Sequence, residues 1–147
     1  MNTARPVTVT LVKEVMVRNV SVVTADMKLW QVAELFIAKG FSGAPVVDNA
    51  HKVISIIGEG LVMRLAATEG LEATIRHCLP KMPQAHQMVM ISSEFTFTEA
   101  YKLFLKHNIH RLPVIDSTGK LQGMITRGTI LKIFVEAHYG KKITPRK

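Results

Sequence analysis

The sequence predicts an α/β fold of the α+β type, in which one strand-helix-strand-strand-helix unit is written twice. Three observations carry that expectation. Residues 41–66, FSGAPVVDNAHKVISIIGEGLVMRLA, align without a gap on residues 109–134, IHRLPVIDSTGKLQGMITRGTILKIF, at an offset of 68. Six pairs in that alignment are identical: Pro45 with Pro113, Val46 with Val114, Asp48 with Asp116, Lys52 with Lys120, Ile57 with Ile125 and Gly60 with Gly128. The same offset superimposes two apolar stripes of helical period that lie upstream of the aligned stretches.

The elements follow in order. SVVT (21–24) and MVMIS (88–92) are short apolar or β-branched runs that read as strands. In the helix after the first, Leu29, Val32, Ala33, Phe36 and Ile37 recur at i, i+3, i+4, i+7 and i+8. Phe97, Ala100, Tyr101, Phe104 and Leu105 repeat the spacing in the second copy. Gly40 and Asn108 occupy the same place in the repeat, where a left-handed helix terminator is expected. APVVD and LPVID then open on a proline, which lacks an N–H and suits a strand's first residue or its edge. DNAHK and DSTGK are hairpin turns, VISII and LQGMI the returning strands. Closing helices are expected from Leu61 to about Ala67 and from Thr129 to about His138. A unit of about 55 residues buries too little apolar surface alone, so two are expected to pack as one module. The division along the chain is 1–68 for the first repeat, 69–82 for a connector, 83–138 for the second repeat and 139–147 for a basic tail.

Composition limits the function classes. No run approaches the roughly 20 apolar residues needed to cross a bilayer, and no leader pattern opens the chain, so a soluble cytoplasmic protein is expected, without membrane insertion. Cys78 has no second thiol to pair with and reads as structural. The net charge of +8 admits nucleic acid, an anionic surface or a phosphorylated small molecule as partners, and does not choose among them. His107 and His110 straddle a helix end with no third ligand near, a poor zinc site. No nucleophile elbow, P-loop or paired acid cluster is present, which leaves binding rather than catalysis, with no required cofactor and no metal.

The stretch from Gly123 to Thr129, GMITRGT, runs from a strand end into a helix start, where backbone N–H groups and the helix dipole favour an anion. Thr126 and Thr129 add hydroxyls and Arg127 a positive charge. Two readings fit these residues: a phosphate and sugar site, or a helix N-cap at Thr126 with Thr129 in the first turn.

The order of elements, the APVVD and LPVID strands and GMITRGTIL entering the closing helix together resemble a tandem pair of cystathionine-β-synthase (CBS) domains, a Bateman module, from about Leu11 to about His138. The resemblance implies a non-catalytic regulatory module binding an adenine nucleotide or other adenosyl compound in a cleft between the repeats, with AMP, ADP, ATP and S-adenosylmethionine as candidate ligands. The family's signature at the corner is glycine, two apolar residues, Ser or Thr, two variable residues and an Asp that holds the ribose. Gly123, Met124, Ile125 and Thr126 match it; Thr129 replaces the Asp. In the first repeat Gly58, Glu59 and Leu61 replace the hydroxyl, the base and the acid, so that corner is expected to be empty or structural.

The resemblance also implies that the second-repeat site is completed by Met16 to Ser21 and by Phe41 and Ser42. His110, Arg111 and Arg18 are further phosphate candidates, and Met16, Phe41 and Met124 candidates to sandwich an adenine ring. Core packing is the other reading of those three apolar residues, and solvated charge that of the two arginines. The closing helices, with Leu61, Leu65, Ile130, Ile133, Phe134 and Ala137, are expected to pair two modules into a homodimer. Acting on an unidentified regulated protein is the first function expected. A ligand-free dimerisation or protein-interaction module is the alternative, its basic tail the only feature suited to nucleic acid, an unlikely partner.

Overall fold

A computed structural model describes residues 9–140. The expected unit occurs twice: β1 (Val23–Thr24), α2 (Leu29–Lys39), β2 (Gly43–Val47), β3 (Val53–Gly58), α3 (Glu59–Glu69), and then β4 (Ile91–Ser92), α5 (Phe97–His107), β5 (Arg111–Ile115), β6 (Leu121–Thr126), α6 (Arg127–His138). Short helices α1 (Val12–Val15) and α4 (Ile75–Cys78) precede the two repeats. Each repeat makes its own three-stranded sheet, β1-β2-β3 and β4-β5-β6, with a parallel pair joined through a helix and an antiparallel hairpin. The offset of 68 read from the sequence is kept in the hydrogen-bond register: Gly43 faces Gly58 as Arg111 faces Thr126, and the ladder slips at Val46/Val47 as it does at Val114/Ile115.

The local signals act as their chemistry requires. Gly40 and Asn108 both end their helices in the left-handed region, at φ 70° and 50°. Thr96 caps α5 by accepting from the Glu99 amide, while the Lys28 amide donates to the Gln31 side chain at the start of α2. Asp48 accepts from the amides of Ala50 and Lys52, and Asp116 from those of Thr118 and Lys120, so one aspartate folds each hairpin turn. The Thr118 hydroxyl, which donates to Asp116, leads in holding that carboxyl below its ordinary range.

Four expectations need correction. Ile37 and Leu105 do not join the buried stripes; they are 84% and 67% exposed. At about 100° per residue, position i+8 lies about 80° round from position i, beyond the face a three-stranded sheet can cover. Pro45 and Pro113 do not start their strands but sit third in β2 and β5, the middle strands. The two-residue strands β1 and β4 reach only Val46, Val47, Val114 and Ile115, so at each proline the middle strand has no neighbour on that side. Both closing helices begin two residues earlier than expected. Among the residues expected on their outward stripes, Leu65, Ile130 and Ile133 are buried in the cores and Leu61 is half-buried, whereas Phe134 and Ala137 are exposed, as are Met63, Leu131 and Val135, which that expectation did not name.

The chain divides by packing into two units that cut across the sequence repeats. One unit holds residues 21–88; the other joins the described residues up to Val20 to those from Val89 onward. The reason is that α1 packs with the second repeat, where Val12, Val15 and Met16 are buried with Phe97, Phe104 and Ile125. In the 21–88 unit the segment read as a connector is integral: Ile75 and Cys78 are fully buried with Leu29, Val32 and Ile57. Burial also pushes the Cys78 thiol pKa up, as suits an inert structural side chain. Glu69, at the end of α3, ties this segment down through Lys81 Nζ at 2.6 Å and His77 Nε2 at 2.9 Å. The basic tail from Lys141 onward lies outside the described residues. No helix among the described residues is long and apolar enough to cross a membrane.

The Glu69 carboxyl, whose ordinary value is 4.5, is held at about 2, first by the Lys81 hydrogen bond and then by Thr68 and His77. A carboxyl depressed by folding contributes stability that is complete above its unfolded value and lost as pH falls through its folded value. The stability difference between the native chain and Glu69→Gln is therefore expected to be constant from neutral pH down to about 5 and to shrink between about pH 4.5 and 2. Urea unfolding of both proteins across that range measures it.

Candidate functional site

The corner at which β6 runs into α6 is closed by its own side chains. Thr126 is the N-cap of α6, and its hydroxyl accepts from the Thr129 amide at 3.2 Å. Thr129 Oγ1 in return accepts from the Thr126 amide at 3.3 Å and lies 3.1 Å from Thr126 Oγ1. Both threonines thus form a capping box, and Thr129 is only 4% exposed. The donor count has a chemical consequence. One hydroxyl hydrogen joins the two oxygens, each oxygen already accepts an amide, and the pair keeps one hydrogen and one lone pair. Such a corner can give one hydrogen bond and accept one, but as a neutral pair it lacks the charge with which a carboxylate accepts from both hydroxyls of a ribose.

Arg127 starts α6, and its guanidinium folds back onto the end of α5. Nε donates to the Ile109 carbonyl at 3.0 Å and Nη2 to Asn108 Oδ1 at 3.3 Å, while the backbone N–H donates to the His110 carbonyl at 3.3 Å. These bonds fix the segment that carries exposed His110 and half-buried Arg111 beside the corner. Arg18 is exposed and donates to the Lys13 carbonyl at the end of α1.

Gly123 explains how the lead-in reaches this unit. Val17 and Met124 exchange both backbone hydrogen bonds, at 2.8 and 2.9 Å, and a Cβ at Gly123 would lie 2.5 Å from Met16 Sδ and 2.8 Å from the Val17 carbonyl. Only glycine admits so close an approach. Met16 is consequently 2% exposed and belongs to the core under α5 and α6; Met124 is 4% exposed. Met16, His110, Arg111, Met124, Thr126, Arg127 and Thr129 therefore share one unit, whereas Ser21, Phe41 and Ser42 belong to the other. There Phe41 packs edge-on against Phe36, with ring centroids 5.7 Å apart.

The 21–88 unit solves the same problem differently. Ser55 stands at the position of Gly123, and its hydroxyl donates to the Pro83 carbonyl at 2.7 Å. Here a side-chain hydroxyl donates to the carbonyl of the packed segment, whereas Val17 takes part in a two-way backbone pair. Sequence comparison alone passes over this pair; the signal was the mismatch of serine with glycine at an otherwise matching offset. Beside α3 a groove of about 550 Å³ is lined by Leu61, Arg64, Met82, Pro83, Gln84 and Gln87. At this unit's own strand-to-helix corner Gly58 offers α3 no side-chain cap and Glu59 is exposed. Among the described residues no group of His, Cys, Asp or Glu could hold a metal ion.

Comparison with known proteins agrees with this architecture. The family model described as CBS domain matches residues 12–67 and 85–136. An uncharacterized protein of Methanocaldococcus jannaschii is 26% identical over 85% of this chain and 91% of its own. The structure of CBSX2 in complex with AMP, a protein of Arabidopsis thaliana, superimposes with a TM-score of 0.75 at 22% identity, over 88% of this chain and 98% of that one. The CBS domain pair of protein MJ0100, in complex with 5-methylthioadenosine and S-adenosyl-L-methionine, gives 0.74 at 18% identity, over the same shares.

Gly123→Ala is expected to cost about 1–3 kcal/mol, the usual range for forcing an atom into a filled site. Thr126→Ala is expected to cost about 1 kcal/mol through the lost N-cap. Ser55→Ala, which loses one hydrogen bond but no space, should fall near the second value. Denaturant unfolding of the three variants ranks them.

Proposed function

Since the chain belongs to the CBS domain family, matched in both repeats, we propose that it is a non-catalytic regulatory module binding an adenine nucleotide or other adenosyl compound at the second repeat's strand-to-helix corner. The observation that carries this reading is the Thr126–Thr129 corner, capped, preceded by the glycine and apolar pair of the family pattern, and flanked by Arg127 and His110. Similar folds occur in proteins solved with AMP and with S-adenosyl-L-methionine. Thr126, Arg127 and Thr129 with His110, Arg111, Met124 and Met16, all of one unit, form the proposed site. Glu59 and Leu61 in the first repeat offer a nucleotide a repelling carboxylate and no sugar partner. The regulated protein is a separate chain in this reading.

The proposed assembly is a homodimer. Its apolar contact set is Leu131 and Val135 on α6, 62% and 56% exposed, with Phe134, and Met63 on α3. The same side chains favour the second reading, a ligand-free dimerisation or interaction module.

Titration calorimetry with AMP, ADP, ATP and S-adenosylmethionine tests the first reading. Binding of at least one is expected, weakened by about 1–2 kcal/mol in Thr126→Ala and unaltered by Gly58→Ala or Leu61→Ala. Equal losses from both corners would overturn the one-site reading, and no heat with any adenosyl compound would leave the interaction module. Light scattering at tens of micromolar should show a dimer that Leu131→Glu with Val135→Glu converts to monomer; a native monomer removes the assembly proposed.

A further inference from the structure

The two repeats differ most sharply in charge where their closing helices begin. At the offset of 68, Lys106, His107, His110, Arg111 and Arg127 stand where the first repeat has Ala38, Lys39, Ser42, Gly43 and Glu59. All five residues lie at one end of their unit: the last turn of α5, the start of β5 and the first residue of α6. The backbone holds the two segments together in both repeats by the same bond, Arg127 N–H to the His110 carbonyl and Glu59 N–H to the Ser42 carbonyl. The carboxylates of the second repeat are elsewhere. Glu94 pairs with Lys13 ahead of α5, Glu99 is in the first turn of α5, Glu136 near the end of α6, and Asp116 at the far end of β5, occupied by its own turn. The segregation extends to the whole chain. Residues 21–88 hold six basic and six acidic side chains, whereas the described residues of the other unit hold eight basic and five acidic ones.

Sugar recognition is weakened at the same corner. Thr129 stands in place of a carboxylate, is almost wholly buried, and its oxygen already accepts the Thr126 amide. A ribose diol is held best by a charged group that accepts from both of its hydroxyls, and a neutral hydroxyl with a lone pair already in use cannot do that.

From the two observations together we infer that the second-repeat corner selects its ligand by phosphate charge and is indifferent to the ribose 2′-hydroxyl: it takes polyphosphorylated nucleotides in preference to monophosphates, and excludes the cationic S-adenosylmethionine. This rests on the adenosyl-ligand reading and narrows it to a nucleoside polyphosphate. Coulombic attraction to this basic end grows with each phosphate, whereas a sulfonium centre meets like charge.

Calorimetry on the full chain in the absence of divalent cations, with ATP, 2′-deoxy-ATP, AMP, S-adenosylmethionine and inorganic tripolyphosphate, tests it. The expected result is ATP and 2′-deoxy-ATP within about twofold of each other, AMP at least about tenfold weaker, and tripolyphosphate competing with ATP. Arg111→Gln with Lys106→Gln should weaken ATP by about fivefold or more while changing AMP less. Thr129→Asp should open a preference for ATP over 2′-deoxy-ATP that the native chain lacks. A tenfold native preference for ATP over 2′-deoxy-ATP, or AMP or S-adenosylmethionine binding as tightly as ATP, overturns the inference and leaves the adenosyl reading standing. Tripolyphosphate binding alone overturns the adenosyl reading and keeps the charge selection; no heat with any probe overturns both.

Discussion

The close approach of the chain's lead-in to β6 at Gly123 is the contact on which the second unit depends. Two backbone hydrogen bonds between Val17 and Met124 anchor the segment, and a glycine gives it room beside Met16. Through it α1 brings Val12, Val15 and Met16 into the core beneath α5 and α6. Without that apolar contribution a unit built from a two-residue strand, one hairpin and two helices would be short of buried surface. The 21–88 unit meets the same need with the segment after α3, which buries Ile75 and Cys78 and is held at Pro83 by the Ser55 hydroxyl and at Lys81 by Glu69. Each unit thus borrows the lead-in that the sequence places before the other repeat.

That borrowing bears on function. The second-repeat corner receives its neighbour Met16 from a residue more than a hundred positions away in sequence, through Gly123, which is also the first residue of the family pattern. The glycine therefore has a steric duty that is complete before any ligand is considered. The same holds at Thr126 and Thr129, whose hydroxyls satisfy the first turn of α6. Capping and ligand binding are not exclusive, since one hydroxyl hydrogen remains to be donated. What the corner lacks is a carboxylate to accept from both hydroxyls of a sugar.

Divergence between the copies is concentrated where chemistry differs and is nearly absent where folding is at stake. Asp48 and Asp116 fold equivalent turns, Gly40 and Asn108 end equivalent helices, and the ladder slips at equivalent residues. Charge at the corners has instead been reversed, from Glu59 to Arg127. A change of that kind costs the fold little, because both side chains are exposed, and changes greatly what can approach.

The sequence by itself determined the repeated unit, the register offset, the helix stops and the identity of the family, because these rest on local backbone preferences and on periodicity, which are written in neighbouring residues. It also offered a cap as one of two roles for Thr126. What it left open was which of two uses the corner hydroxyls serve, and it misplaced Ile37, Leu105, Leu65 and Ile133, because the width of a buried face depends on how many strands lie beneath it. Only the tertiary structure decided that the packing units cut across the repeats, that Gly123 is a site of steric contact with Met16, and that Arg127 turns back onto Asn108 and Ile109. These are contacts between segments distant in sequence, set by the three-dimensional fit of whole elements, and no local preference encodes them.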